Sequence, residues 1–389
     1  MLYLIISFFI LICILKYDLY GNTKNKGICI GLITIILVLV SGFSYRIGGD
    51  GINYLNEYKD YGTISDLSID YFGRYSLRYM PGWIVLCTVC KSITSSYWFF
   101  KLVHALIVNI AFVRTIKTNA QYVFTGIFLY FVLIYFNMNF QALREALAVS
   151  MFFFAIPSFY KKNWIRYYLL ALLAVLFHDG AIVVFILPLI RIMGINKYSI
   201  GLFFIAAFFL FYYASDFLNL LFSADFGSYQ YRIDYYMEQV DNDYSFSAWA
   251  NSLLNIVFPI IILFVYIKKK IPIKYLYLAL FSILLYTMSL IVPIVYRFTN
   301  YVLIFHYILL MDFLLKVVTH RTMKKYGNKS LAIIVSFLLI LSFTLFKGRF
   351  YFNSYGSTGI PQYVQYYPYS SVFDKTTTEE RERLYRVMD

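Results

Sequence analysis

Gln141-Ala142-Leu143-Arg144-Glu145-Ala146-Leu147-Ala148-Val149-Ser150-Met151-Phe152-Phe153-Phe154 sets a cation and an anion at the head of an otherwise apolar run. Alanine and leucine favour helix, and the run from Phe140 to Phe159 reaches the ~20 residues a membrane-crossing helix needs. An ionisable pair inside such a helix is expensive. It is kept where it faces protein or a water-filled cavity, and it marks a functional site by default. The remaining runs are read as a scaffold that gathers other charged groups around Arg144.

Composition puts the whole chain in the same class. Only 14% of residues are charged and 61% are hydrophobic, with a mean hydropathy of +0.68. A soluble domain carries about 25% charged residues. Apolar runs recur at Met1–Leu15, Gly27–Phe43, Ser96–Val113, Tyr122–Phe136, Phe140–Phe159 and Trp164–Phe177. They continue at Ala181–Ile192, Ser199–Phe222, Ser247–Ile267, Ile273–Val292, Phe298–Val318 and Ser330–Phe346. The predicted fold is all-α: a polytopic membrane protein of about 12 transmembrane helices plus a short re-entrant or interfacial helix at Met80–Ser92. That short segment is opened by Pro81-Gly82 and cannot span a bilayer. Met1–Leu15 has neither a basic leader nor a small-residue cleavage site, so it is read as a retained span. Residues 1–346 form one transmembrane domain with outer loops 44–95 and 223–246. Residues 347–389 form an extracytoplasmic tail.

The net charge of +14 reflects orientation rather than nucleic-acid binding. Lys24, Lys26, Arg114, Lys117, Lys161, Lys162, Arg191, Lys197, Lys268–Lys270, Arg321, Lys324 and Lys325 fall in or beside the loops after the odd-numbered spans, where Asp18 is the lone acid. The positive-inside rule makes those loops cytoplasmic and puts both ends of the chain outside. Arg46, Asp50, Arg144, Glu145, His178, Asp179 and Arg297 then collect at the outer side. Cys87-Thr88-Val89-Cys90 has metal-like spacing but no second pair, and ordinary packing explains it.

Several further stretches carry candidate chemistry. Trp164–Phe177 and Ala181–Ile192 are too short for two full crossings of a ~30 Å core at ~1.5 Å per residue. The turn Phe177-His178-Asp179-Gly180 therefore sits below the surface, where irregular backbone lines a cavity, or the bilayer thins there. His178 has a tunable pKa suited to a general base, with Asp179 to orient it; a tight turn with a satisfied histidine fits the same residues. Arg46-Ile47-Gly48-Gly49-Asp50-Gly51 combines a potential phosphate fork with glycines that allow close backbone approach, although a flexible loop start reads alike. Tyr296-Arg297 follows Pro293 at the mouth of a span, where a snorkelling arginine is the plainer reading. Lys101 and His104 share one helix face, either joining a cavity or snorkelling. Tyrosines in the 223–245 loop and the tail suit sugar stacking or a membrane-interface belt.

Taken in order, Tyr45-Arg46-Ile47-Gly48-Gly49-Asp50-Gly51-Ile52-Asn53-Tyr54, Leu143-Arg144-Glu145-Ala146-Leu147-Ala148, Phe177-His178-Asp179-Gly180-Ala181 and Tyr296-Arg297 resemble the EpsG-like family of bacterial polysaccharide polymerases, the Wzy type. Arg46, Asp50, Arg144 and His178 match directly. Glu145 stands where glutamine is usual, and Asp179-Gly180 where a small or polar pair with serine is usual. The resemblance implies a glycosyltransferase, multi-pass in the bacterial cytoplasmic (inner) membrane, its active site facing the periplasm; with no metal-ligand cluster in the sequence, it is expected to be metal-independent and to need no cofactor. Its substrate would be an undecaprenyl-diphosphate-linked oligosaccharide, with membrane lipids and a chain-length regulator as partners and no nucleic acid. Arg144 and Arg297, with Arg46, would hold the diphosphate. His178, Asp50 or Asp179 would serve the acceptor hydroxyl. Tyr54, Glu145 and Tyr296 complete the implied substrate contacts.

Competing readings are a lipid-linked oligosaccharide flippase, an O-antigen ligase and, more distantly, a membrane acyltransferase. A flippase calls for similar halves and charges reachable from both sides. Here the intramembrane charges are skewed outward and no internal repeat is visible.

Overall fold

The computed structural model describes residues 1–76, 78–192, 250–269, 274–290, 293–356 and 358–388. The expected eighth span, the 223–246 loop and Tyr229, Tyr231, Tyr235 and Tyr236 lie outside the described residues. The helices, in chain order, are α1 (Leu2–Cys13), α2 (Lys26–Gly42), α3 (Gly49–Glu57), α4 (Ile69–Ser76), α5 (Pro81–Ile93), α6 (Tyr97–Asn119), α7 (Val123–Leu133), α8 (Leu143–Tyr160) and α9 (Trp164–Phe177). There follow α10 (Leu187–Ile192), α11 (Phe258–Lys268), α12 (Leu276–Ser289), α13 (Leu303–Tyr326), α14 (Lys329–Gly348) and α15 (Glu379–Met388). No strand occurs among the described residues, only two isolated bridges.

Among the described residues, six helical segments are long and apolar enough to cross a membrane: Leu2–Leu19, Tyr97–Asn119, Leu143–Tyr160, Ala250–Lys268, Leu303–Tyr326 and Lys329–Phe352. Exposed residues support a lipid surroundings. On α2, Ile28, Leu32, Ile35 and Leu39 stand exposed in one stripe at helical spacing, the reverse of a soluble helix, whose outer face is polar. The chain is thus a multi-pass helical membrane protein, with α2, α5, α7, α9 and α12 as shorter apolar helices of 10–17 residues.

Contacts divide the chain into two compact units, Met1–Ala181 with Leu314–Asp389, and Ile182–Phe313. In the first, α8 is the central helix. Every residue from Glu145 to Phe153 is buried, as in a helix enclosed on all sides by protein. It pairs with α9 through the tight turn Lys161–Asn163, where Lys162 adopts φ +58° and the Asn163 side chain accepts the Arg166 N–H at 3.2 Å. The hairpin is antiparallel, so the start of α8 and the end of α9 lie at the same end of the unit.

Several boundaries depart from the sequence reading. The expected span Ala181–Ile192 is not one α-helix: Asp179–Ile186 is a 3-10 helix, and α10 begins only at Leu187. Pro188 has no N–H to donate to the carbonyl four residues back, so an α-helix running through this point is blocked. The expected span from Phe298 likewise starts in a 3-10 segment, Pro293–Tyr301, before α13. The polar loop 44–79 contains α3 and α4. The tail holds α15, whose Arg381, Leu384 and Tyr385 are buried against the first unit.

In the second unit, His306 and Asp312 of α13 are buried. Tyr275 reaches Asp312 Oδ2 at 3.5 Å, and Ser282 Oγ lies 3.5 Å from His306 Nδ1.

Candidate functional site around Arg144

The turn into α3 is set by contact with a carbonyl. Gly48 has φ +83°, and a Cβ there would lie 2.4 Å from the Phe140 oxygen; one on Gly51 would lie 2.8 Å from the same atom. No side chain fits at either position, so the glycine-rich stretch is a docking surface for the 137–141 turn. Asp50 follows in the first turn of α3, where a carboxylate complements the positive helix terminus. Asp50, Tyr54 and Glu57 recur at helical spacing and share one face.

Arg144 meets that face from the first turn of α8. Its Nε donates to the Tyr54 hydroxyl at 3.1 Å, and Nη1 donates to the Arg78 carbonyl at 2.8 Å. The guanidinium lies 4.9 Å from the Tyr79 ring centre and 5.9 Å from that of Tyr54. Glu57 accepts from the Arg78 guanidinium at 2.6 Å and from the Tyr79 hydroxyl. Two arginines and two carboxylates are thus collected around two phenols. Burial raises the Glu57 carboxyl above its ordinary value, against the opposing pull of Arg78 and Arg144. Tyr54 is also raised by burial, opposed by Arg144.

Two buried residues of α6 hold the backbone that presents Arg144. Lys101 donates from Nζ to the Asn139 carbonyl, and His104 Nε2 sits 3.0 Å from the Leu143 carbonyl. Beneath them, Asn139 Nδ2 donates to Tyr130 at 3.1 Å and to the Tyr135 carbonyl at 3.0 Å. Asn109 Nδ2 donates to Asn139 Oδ1 at 3.0 Å, and Tyr130 donates to Asn109 Oδ1 at 2.9 Å. The network satisfies the polar groups that the break between α7 and α8 introduces into an apolar interior.

His178 follows α9 directly. Gly180 N–H donates to His178 Nδ1 at 3.1 Å and to Asp179 Oδ1 at 2.8 Å. With Nδ1 accepting, the neutral ring carries its proton on Nε2. The Asp179 carboxylate lies 3.6 Å from Nδ1. Helix α5 joins His178's end of the hairpin to the Arg144 cluster. Gly82 of α5 packs on Leu176, where a Cβ would meet the Leu176 oxygen at 2.7 Å. Its neighbour Trp83 lies 4.9 Å from the Tyr54 ring and 6.3 Å from that of Tyr79.

The other expected residues are placed differently. Arg46, at φ +47°, turns to the tail and forms a two-pronged pair with Glu382: Nε to Oε1 at 3.1 Å and Nη2 to Oε2 at 2.6 Å. That bond holds its guanidinium above the usual pKa. Glu145 is buried, one residue beyond Arg144 and on another face of α8. Tyr296 and Arg297 are exposed residues of the second unit. Tyr296 lies 6.2 Å from Tyr286.

Arg78, Tyr79, Glu57 and Glu382 were not singled out from sequence. The spacing Asp50–Tyr54–Glu57 was the available signal. Arg78, Tyr79 and Glu382 come from distant stretches and carry none.

No curated protein and no solved structure matches the chain. A model of the EpsG family matches residues 27–371, a span that takes in the Gly48 turn, the Arg144 helix and the His178 turn. By that match over most of its length, this helical membrane protein belongs to the EpsG family.

Proposed function

We propose that the protein polymerises undecaprenyl-diphosphate-linked oligosaccharide repeat units at the outer face of the bacterial cytoplasmic membrane. The growing chain leaves its lipid diphosphate and is joined to a sugar hydroxyl of the next lipid-linked unit. A glycosyl C–O bond to the diphosphate breaks, a C–O bond to the acceptor forms, and the acceptor proton passes to a base. Family membership and the setting of Arg144 support this reading. The single observation that carries it is a fixed guanidinium at the head of a buried helix, held by Tyr54 and the Arg78 carbonyl.

The leaving diphosphate needs positive charge already in place as its own charge develops. Arg144 supplies it, with Arg78 beside it and the amide N–H groups of the first turn of α8 adding partial charge. Asp50 is the base for the acceptor hydroxyl. His178 acts as a hydrogen-bond donor from Nε2, since its Nδ1 lone pair is engaged by Gly180. Tyr54 and Tyr79, both buried, hold the Arg144 guanidinium in place. A chain-length regulator sets product size.

Deletion of the gene followed by gel analysis of surface polysaccharide tests the reading. A product of one repeat unit supports a polymerase. Absence of any surface antigen points to a flippase instead, and free lipid-linked polymer to a ligase.

A further inference from the structure

A cavity of about 610 Å³ opens beside the Arg46 loop, between the end of α2, the start of α6 and the tail. Its volume falls in the range of small-molecule sites, roughly 300–1,000 Å³. Three cations line it, Arg46, Lys101 and Lys375, and no carboxylate does. The rest of the wall is largely aromatic and aliphatic, including Phe43, Trp98 and Phe373.

Lys101 is the telling residue. It is 3% exposed, and its ammonium has three protons to donate. Among the described residues its one hydrogen-bond partner is the Asn139 carbonyl, with the Phe140 ring 5.3 Å from Nζ. It forms no ion pair among them. A buried ammonium without a counter-charge is costly, and an anion entering the cavity would offset that cost. Glu382 neutralises Arg46, while Lys375 stands exposed at the rim. Asp374, next to it, accepts from the Ser371 N–H.

The position suggests what kind of anion. Helix α2 ends at Gly42 and α6 begins at Tyr97, so the cavity lies where apolar helices meet polar loops. Headgroups occupy that level of a bilayer. Phe43 lies 5.9 Å from Trp98 and 5.2 Å from Phe373, giving an apolar wall beside the cations.

We infer that this cavity, with Lys101 in its wall and Lys375 at its rim, binds a phosphate-bearing amphiphile at a site separate from the Arg144 cluster. If the proposed polymerisation holds, the occupant is the second lipid-linked diphosphate that each transfer requires; that assignment alone rests on the polymerase reading. A phospholipid headgroup presents the same chemistry.

The test uses the full chain in phosphatidylcholine nanodiscs and a photoreactive prenyl diphosphate, with mapping of adducts by mass spectrometry. Adducts are expected within residues 96–101 or 372–375. Lys375→Glu at the rim, and Leu55→Trp filling the cavity, should each lower that labelling at least tenfold. Arg144→Ala should leave it unchanged. Competition by phosphatidylglycerol identifies a bilayer headgroup as an occupant; competition by unlabelled prenyl diphosphate alone identifies the lipid-linked diphosphate. Labelling absent from both segments, undiminished in Lys375→Glu, or matched by a prenyl alcohol without phosphate overturns the inference. Arg144→Ala that keeps both this labelling and a normal polymer sinks the polymerase role of Arg144 and leaves the cavity site standing.

Discussion

Arg46 and Glu382 are 336 residues apart in sequence and meet as a two-pronged ion pair. The contact joins the first glycine-rich turn to the last helix of the chain. Around it, Ser44 bridges Ser371, Tyr45 N–H donates to the Ser370 carbonyl at 2.9 Å, and Tyr385 donates to the Arg46 carbonyl at 3.1 Å. The tail is therefore part of the wall around the Arg46 cavity. Both partners are about a quarter exposed, so the pair contributes on the order of 1 kcal/mol after solvent screening. Glu382→Ala should speed proteolytic cleavage of the 371–378 segment in the purified protein. An unchanged cleavage rate would show that the pair does not hold the tail.

Gly48→Ala should cost folded protein. The added methyl group meets the Phe140 carbonyl, and the positive φ disfavours any L side chain. Gly31→Ala is the matched control: nothing lies within 4 Å of a Cβ there, and alanine favours a helix interior by ~0.5–1 kcal/mol. Yield of monodisperse protein in detergent should fall sharply for Gly48→Ala and hold or rise for Gly31→Ala. Equal yields would contradict the close approach.

Asn139→Leu should lower the thermal midpoint by several degrees. It takes one hydrogen-bond partner each from Asn109 and Tyr130 in an apolar interior, and an unsatisfied buried polar group costs about 1–3 kcal/mol. A fluorescence melt of the variant against wild type measures the shift. A melt at the wild-type midpoint would mean that the network does not hold the α7–α8 break.

Glu57 gives a pH dependence of definite sign. Burial raises its pKa above the ordinary 4.5, so the folded protein keeps a proton that the unfolded chain has released. Its contribution to stability is full below pH 4.5 and is lost as pH rises through the folded-state value. Glu57→Gln should flatten the decline in melting temperature over that interval. A variant that declines as steeply as wild type would exclude Glu57 as its source.

The helices were legible where composition dictates them. Trp164–Phe177 was read to the residue, and the short segment near Met80 is α5 at Pro81–Ile93. Hydropathy could not see the 3-10 stretch Asp179–Ile186, because local hydrogen-bond geometry leaves no mark on an apolar run. Short amphipathic helices such as α3 and α15 were hidden in polar sequence. At the site, Arg144 was legible because a charge in an apolar helix needs a reason. Tyr54 followed from the motif in which it stands. Glu57, Arg78 and Tyr79 became visible only when the fold brought the 49–79 region over the head of α8, and no spacing rule records that. In sequence Arg46 suits a phosphate fork or a flexible loop start alike; its bidentate carboxylate partner, Glu382, lies in the tail, beyond the reach of any local pattern.

The most direct test of the proposed diphosphate role is the length distribution of surface polysaccharide made by Arg144→Lys and Arg144→Ala in a strain lacking the native gene. Lysine keeps the charge but cannot form the forked contact, so both variants should be present in the membrane at wild-type levels and yield single repeat units. A normal length ladder from Arg144→Ala would contradict the role assigned to this residue.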